Sequence, residues 1–138
     1  RTEKMLECRN YRGTISLFGT QINDVGERFK SMVPNGAIAA RDKRDGAGVY
    51  HITIVSSSEQ TEGTRNWKEC SAVQEEIKIV AVGTTGLERG EVKSWYAVMY
   101  CPWANNLRTQ MGLEPKELHI TLGFIGGDLY GEPSLYNA

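Results

Sequence analysis

The sequence predicts an α+β domain built as two similar lobes around a shared cleft, and three observations carry that prediction. Runs with the two-residue alternation of β-strands exchange with stretches of helical period. The order strand, amphipathic helix, link, strand occurs between residues 13 and 55 and again between 93 and 124. Each occurrence ends on the same tripeptide, His51-Ile52-Thr53 or His119-Ile120-Thr121, and these hold the only histidines in the chain. The intervals differ in length, so the repeat is one of architecture and not of sequence.

Taken in order, residues 1–12 mix charge with Met5, Leu6 and Tyr11 without a clear period and read as a lead-in. After Gly13, Thr14-Ile15-Ser16-Leu17-Phe18 alternates polar and apolar, the pattern of a half-buried strand. Ile22, Val25, Phe29 and Met32 then recur at helical spacing, with Asn23 or Asp24 available as a cap and Pro34-Asn35-Gly36 as the stop. Residues 41–48 form a charged, glycine-rich link that reads as a solvated hairpin turn; in the alternative reading Arg41, Lys43 or Arg44 overhangs a phosphate site. The link enters the strand Val49 to Val55.

Residues 56–75 are polar around Trp67 and read as a loop with a short helix. Ile77 to Val82 make a strand ended by Gly83-Thr84-Thr85-Gly86. Gly90 leads into the aromatic strand Lys93 to Cys101, and the two runs suggest an antiparallel hairpin. Pro102 suits a helix start, Leu107 and Met111 share a face within 104–111, and Gly112 ends the helix. Pro115 lies in the link to the strand Leu118 to Phe124, and the chain from Gly126 to Ala138 reads as irregular.

With 138 residues the chain can bury a core without staples and reads as one domain, 1–138. It opens on Arg1, which leaves room for it to be a piece of a longer protein. The net charge of −1 excludes a molecule that attracts nucleic acid through its overall field, though not a local basic patch. Cys8, Cys70 and Cys101 are an odd number without paired spacing, which favours thiols in a reducing compartment. No apolar stretch approaches membrane length and no signal-peptide pattern opens the chain. The expected compartment is therefore intracellular, cytoplasmic or nuclear, with no membrane partner; oligomeric state is not readable.

In a strand, residues two apart share a face, so each histidine stands beside its threonine while the isoleucine points the other way. Two such strands brought together would converge two imidazoles and two hydroxyls on one small volume. A histidine in an apolar strand is commonly a hydrogen-bonded core residue, and threonine is a favoured β residue. The recurrence of both in one context points instead to chemistry. Imidazole, titrating near ~6.5, serves as acid or base at neutral pH. Two of them flanking a phosphorus can deprotonate water and protonate a departing oxygen, while hydroxyls bond the non-bridging oxygens. Two histidines without cysteine or carboxylate at ligand spacing make a poor zinc site, so neither metal nor cofactor is expected.

Written as His51-Ile52-Thr53-Ile54 and His119-Ile120-Thr121-Leu122, the second continuing as Gly123-Phe124, the motifs resemble the signature of the 2H phosphoesterase superfamily. That signature is two His-x-Thr/Ser-x motifs with hydrophobic x positions. The resemblance implies an α+β fold of two pseudo-symmetric lobes of antiparallel strands with outer helices around a central cleft, over about residues 13–125. It implies action on RNA or nucleotide phosphates, such as opening cyclic phosphates, processing 2′,5′ linkages or trimming RNA 3′ ends. It implies His51 and His119 as acid and base, in an order the sequence does not assign, and Thr53 and Thr121 as phosphate ligands. Residues 128–132 receive no role from it.

A nucleotide would also use a stacking surface, worth about 1–3 kcal/mol per base. Tyr50, Trp95 and Phe124 are candidates, with Phe18, Tyr96 and Tyr100 beside them; aromatics in strands otherwise belong to the core. Trp95 falls on one face of its strand and Tyr96 and Tyr100 on the other, so at most one set faces the cleft. The expectation is a metal-independent phosphodiesterase whose partner is RNA or a nucleotide bearing a cyclic or diester phosphate. The alternatives are a nucleotide- or RNA-end-binding module with little or no turnover, and an interaction domain with two buried histidines.

Overall fold

The sheet begins earlier than the sequence suggests. The structure is a computed structural model and describes residues 6–61, 64 and 77–127. Within the expected lead-in, Leu6–Tyr11 forms β1, which pairs antiparallel with β2, Thr14–Gly19. Arg12 and Gly13 make the turn, with φ of 51° and 80°. Two successive left-handed residues match the twist of a two-residue hairpin. Arg12 offsets the strain of that conformation with a 2.9 Å hydrogen bond from its guanidinium to the carbonyl of Arg44.

Helix α1, Thr20–Phe29, buries Ile22 and Val25 as their spacing predicts. A 3₁₀ turn, Lys30–Met32, follows it. Pro34 ends this segment and also opens a second helix, α2, Asn35–Asp45, where it holds the N-cap position with φ −58°. The solvated-turn reading of residues 41–48 is corrected here, because Arg41 to Asp45 are helical and Arg41 is 0% exposed. Arg41 donates to the carbonyls of Val49 and Gly46 at 2.6 and 3.1 Å, pairs with Asp42, and lies 3.9 Å over the Tyr50 ring. It closes the link into β3, His51–Val55, and does not overhang a phosphate site.

Ser57–Glu59 forms a 3₁₀ turn fastened by a capping box with Ser56. Strand β4, Val80–Arg89, runs through the glycine and threonine segment expected to end it and turns at Gly90, φ 65°, into β5, Val92–Tyr100. Gly86 admits a close approach there: a Cβ would stand 2.9 Å from the Ser94 carbonyl oxygen. Helix α3, Pro102–Gln110, starts on its proline and buries Ala104, Leu107 and Arg108. Strand β6, Leu118–Ile125, follows. Trp67, most of the polar segment around it, and the tail from 128 onward lie outside the described residues.

Among the described residues, six strands pair antiparallel in one sheet of order β1-β2-β3-β6-β5-β4. The fold is α+β as expected, and the two lobes are halves of one sheet. One half is β1-β2-α1-α2-β3, the other β4-β5-α3-β6, and each places its His-Ile-Thr strand innermost. Ile52, Ile54, Leu118, Ile120 and Leu122 join Ile22, Val25, Ala37, Ala104 and Leu107 in one core cluster between sheet and helices. Burying one such aliphatic side chain contributes about 1.5–3 kcal/mol, so the apolar members of the motifs anchor these strands. Among the described residues no helix is long and apolar enough to cross a membrane.

Candidate functional site

Strands β3 and β6 meet with Ile52 opposite Ile120. One residue to either side, the same antiparallel register sets His51 opposite Thr121 and Thr53 opposite His119. All four polar side chains therefore share the face that the isoleucines leave. Opposed side chains on one face stand about 5 Å apart at Cβ and diagonal ones roughly 7–8 Å. The imidazoles occupy one diagonal of this four-residue square and the hydroxyls the other. Thr121 is 8% exposed, while His51, Thr53 and His119 are half-buried.

The outer neighbours skip one residue at the same place in both motifs. Thr53 pairs with Ser16 and Val55 with Ile15; Thr121 pairs with Tyr96 and Gly123 with Trp95. The skipped residues, Ile54 and Leu122, are the fourth positions of the motifs, and both are buried in the core. A bulge bends its strand and sharpens the twist. Each outer ladder thus shifts register by one residue just past its threonine, and Ile54 and Val55 both turn into the core.

Around His51 the walls come from β2, β1 and α2. Phe18, its partner on β2, stacks on the imidazole with centroids 5.4 Å apart and planes at 27°. Tyr11 lies 5.1 Å away, and its hydroxyl donates to Asp45 Oδ1 at 2.9 Å. Arg44 donates from Nε to the same oxygen at 2.9 Å and from Nη2 to Oδ2 at 2.7 Å. The Asp45 side chain is only 3% exposed. Burial opposes its charge, but the hydrogen bonds and charge of Arg44, the Tyr11 hydroxyl and a positive His51 outweigh burial and hold the carboxyl below its ordinary range. Burial and the bond to Asp45 push the Tyr11 phenol up, so it remains a donor.

His119 pairs with Val98 on β5 and takes the edge of the Tyr96 ring at 4.8 Å. Tyr96 is fully buried and pairs with Thr121. Of the other stacking candidates, Tyr50 alternates to the helix side, 1% exposed within the core cluster, and offers no ring face to a ligand. Trp95 packs against the same core. Tyr100 is 52% exposed. Phe124 is buried outside the core cluster, with the Arg44 guanidinium 4.9 Å from its ring. The structure thus gathers Phe18, Tyr96 and the four motif residues, and sends Tyr50 and Trp95 elsewhere.

Sequence reasoning missed Tyr11 and Asp45, which sat in segments read as lead-in and turn, and Ser16. A signal for Ser16 existed: Thr14, Ser16 and Phe18 share the face opposite Ile15 and Leu17. The square offers two groups that can carry a proton and two hydroxyls between them. Among the described residues no group of three or more His, Cys, Asp and Glu side chains is arranged to hold a metal ion.

No curated protein and no solved structure matches the chain. A family model described as "Swiss Army Knife, 2H phosphoesterase domain" matches residues 13–130. That span runs from the turn before β2 to just past β6 and takes in both His-Ile-Thr strands. The paired strands on one sheet and this match agree: the chain belongs to the 2H phosphoesterase superfamily, and its function is of the phosphoesterase type.

Proposed function

We propose that the domain is a metal-independent phosphodiesterase acting on RNA ends or nucleotides, and that it hydrolyses a 2′,3′-cyclic phosphate to a monoester. The observation that supports this reading is the diagonal of His51 and His119 across the β3–β6 seam. A phosphate lying over Ile52 and Ile120 meets an imidazole on each side. One imidazole, neutral, takes a proton from water as the water oxygen bonds to phosphorus. The other, protonated, gives its proton to the ribose oxygen as the P–O bond breaks, leaving a ring-opened phosphomonoester. After turnover the base holds the proton from water and the acid has lost its own; one proton released to solvent and one taken up restore the starting states. Thr53 and Thr121, on the other diagonal, donate to the non-bridging oxygens where charge accumulates.

The test is incubation of the protein, in chelator, with the four 2′,3′-cyclic mononucleotides and a short RNA ending in a cyclic phosphate, resolving 2′- from 3′-monophosphate products. The expected result is one monophosphate isomer, with His51→Ala and His119→Ala each lowering the rate by about 10²–10⁴. Full activity in either variant overturns the proposal. Binding of nucleotide or RNA ends without product from any substrate would identify a binding module instead.

A further inference from the structure

Asp45 is a buried carboxylate that none of the chemistry above uses. It closes α2, the link 46–50 turns the chain straight back, and β3 begins at His51. Its oxygens are gripped by Arg44 and by the hydroxyl of Tyr11. The Tyr11 ring stands 5.1 Å from the imidazole at 58°, and Phe18 completes the enclosure by meeting Tyr11 edge-on at 5.4 Å. Arg12, at the strained position of the β1–β2 turn, ties that turn to the carbonyl of Arg44, so strand and helix end cannot drift apart independently. A tyrosine whose hydroxyl is committed to a buried carboxylate is not a loose wall.

The geometry points to Asp45 and Tyr11 as positioning residues for His51: Tyr11 fixes the plane of the imidazole, and the Asp45 carboxylate that anchors the Tyr11 hydroxyl supplies a neighbouring negative charge. This rests on the phosphodiesterase reading only for its catalytic consequence. A positive His51 is among the groups that stabilise ionised Asp45, and a charge interaction acts equally on both partners. The other charged groups on the packed elements are Arg41, Asp42, Lys43 and Arg44 on α2, and Glu7, Arg9 and Arg12 on β1 and its turn. Strands β2 and β6 face His51 with the uncharged Phe18 and Thr121, and His119 lies diagonally beyond. Removing the Asp45 charge also leaves Arg44 without its carboxylate. Both changes disfavour a cationic imidazole, so their signs agree.

The experiment is an NMR titration of both imidazoles in the wild type, Asp45→Asn, Arg44→Met and Tyr11→Phe, with kcat and KM on whichever substrate the protein opens. Asp45→Asn is expected to lower the His51 midpoint by about one pH unit and to leave that of His119 within a few tenths. Arg44→Met, which is safer for folding because that side chain is partly exposed, is expected to raise the His51 midpoint. Tyr11→Phe is expected to lower kcat about tenfold with KM within about twofold, as loss of orientation does. An unmoved His51, or equal movement of both histidines, overturns the inference, as does wild-type kcat in Tyr11→Phe. The titration needs no substrate. A shifted His51 in a protein that turns nothing over would sustain the charge arrangement while sinking the phosphodiesterase reading, and turnover dependent on both histidines with an unmoved His51 would do the reverse.

Discussion

Arg108 donates to both carboxylate oxygens of Glu59 at 2.8 Å, and the same guanidinium reaches the carbonyls of Ile54 and Glu114 at 2.8 Å. One buried side chain on α3 therefore grips the end of β3 and the segment that leads into β6. Lys116 adds a 3.1 Å contact to Glu59. Arg41 does the corresponding work in the other half, closing the link from α2 into β3.

Breaking this clamp from one side leaves a charge buried. Glu59→Gln is expected to destabilise the fold by about 2–4 kcal/mol at pH 7, measured by urea denaturation. The bonds from Arg108, working against burial, hold the Glu59 carboxyl well below its ordinary range. A depressed folded-state value means the stabilisation is complete above the unfolded value near ~4.3 and is lost as pH falls toward the folded one. Wild-type stability should therefore drop more steeply below about pH 4.5 than that of Glu59→Gln; parallel curves would contradict the assignment.

Gly26 offers a test by sign. Alanine in an exposed helix interior is about 1 kcal/mol better than glycine. At Gly26 a Cβ would enter the Tyr50 ring, which Arg41 covers and whose hydroxyl donates to Glu27 at 3.1 Å. Gly26→Ala is expected to destabilise by about 1–3 kcal/mol, and a rise in melting temperature would show that the ring has room to move.

Tyr50 itself should register alkaline pH. Burial, with the nearby Glu27 carboxylate, pushes its phenol up to about 12 from 10.0. A raised value stabilises the fold fully below the unfolded value and ceases to do so as pH rises through the folded one. Tyr50→Phe is expected to lose about 1 kcal/mol at pH 7 and to show less loss of stability between pH 10 and 12 than the wild type. Denaturation across that range checks both.

Under the proposed mechanism, Thr53→Val and Thr121→Val keep shape and remove one donor each. Each is expected to lower kcat by about 10–10³ while the histidine titrations hold. Unchanged kcat in both would remove the hydroxyls from the reaction.

Both His-Ile-Thr strands, β2, α1, β5 and α3 were legible because their buried faces are aliphatic or aromatic at regular period. Strand β1 was not: its inward residues are Leu6 and Cys8, too few apolar positions to show an alternation. Helix α2 hid for a related reason, since its buried face ends on Arg41, a charge that sequence patterns assign to solvent. Tyr11 and Asp45 were lost with the elements that carry them. The face of Tyr50 was readable from its place next to His51, because neighbours in a strand point opposite ways.

The Ile52–Ile120 pair marks the point about which the two halves exchange by a half-turn. Under the proposed mechanism a phosphate resting there would meet the same two motifs whichever way round its diester lay. Direction must then be decided away from the axis, where the halves differ. Phe18 beside His51 corresponds to Val98 beside His119, and Ser16 beside Thr53 to Tyr96 beside Thr121. Under the proposed mechanism these unlike neighbours would distinguish a leaving group on one side from a nucleophile on the other, and exchanging them between the halves is the change that would turn the bound molecule around.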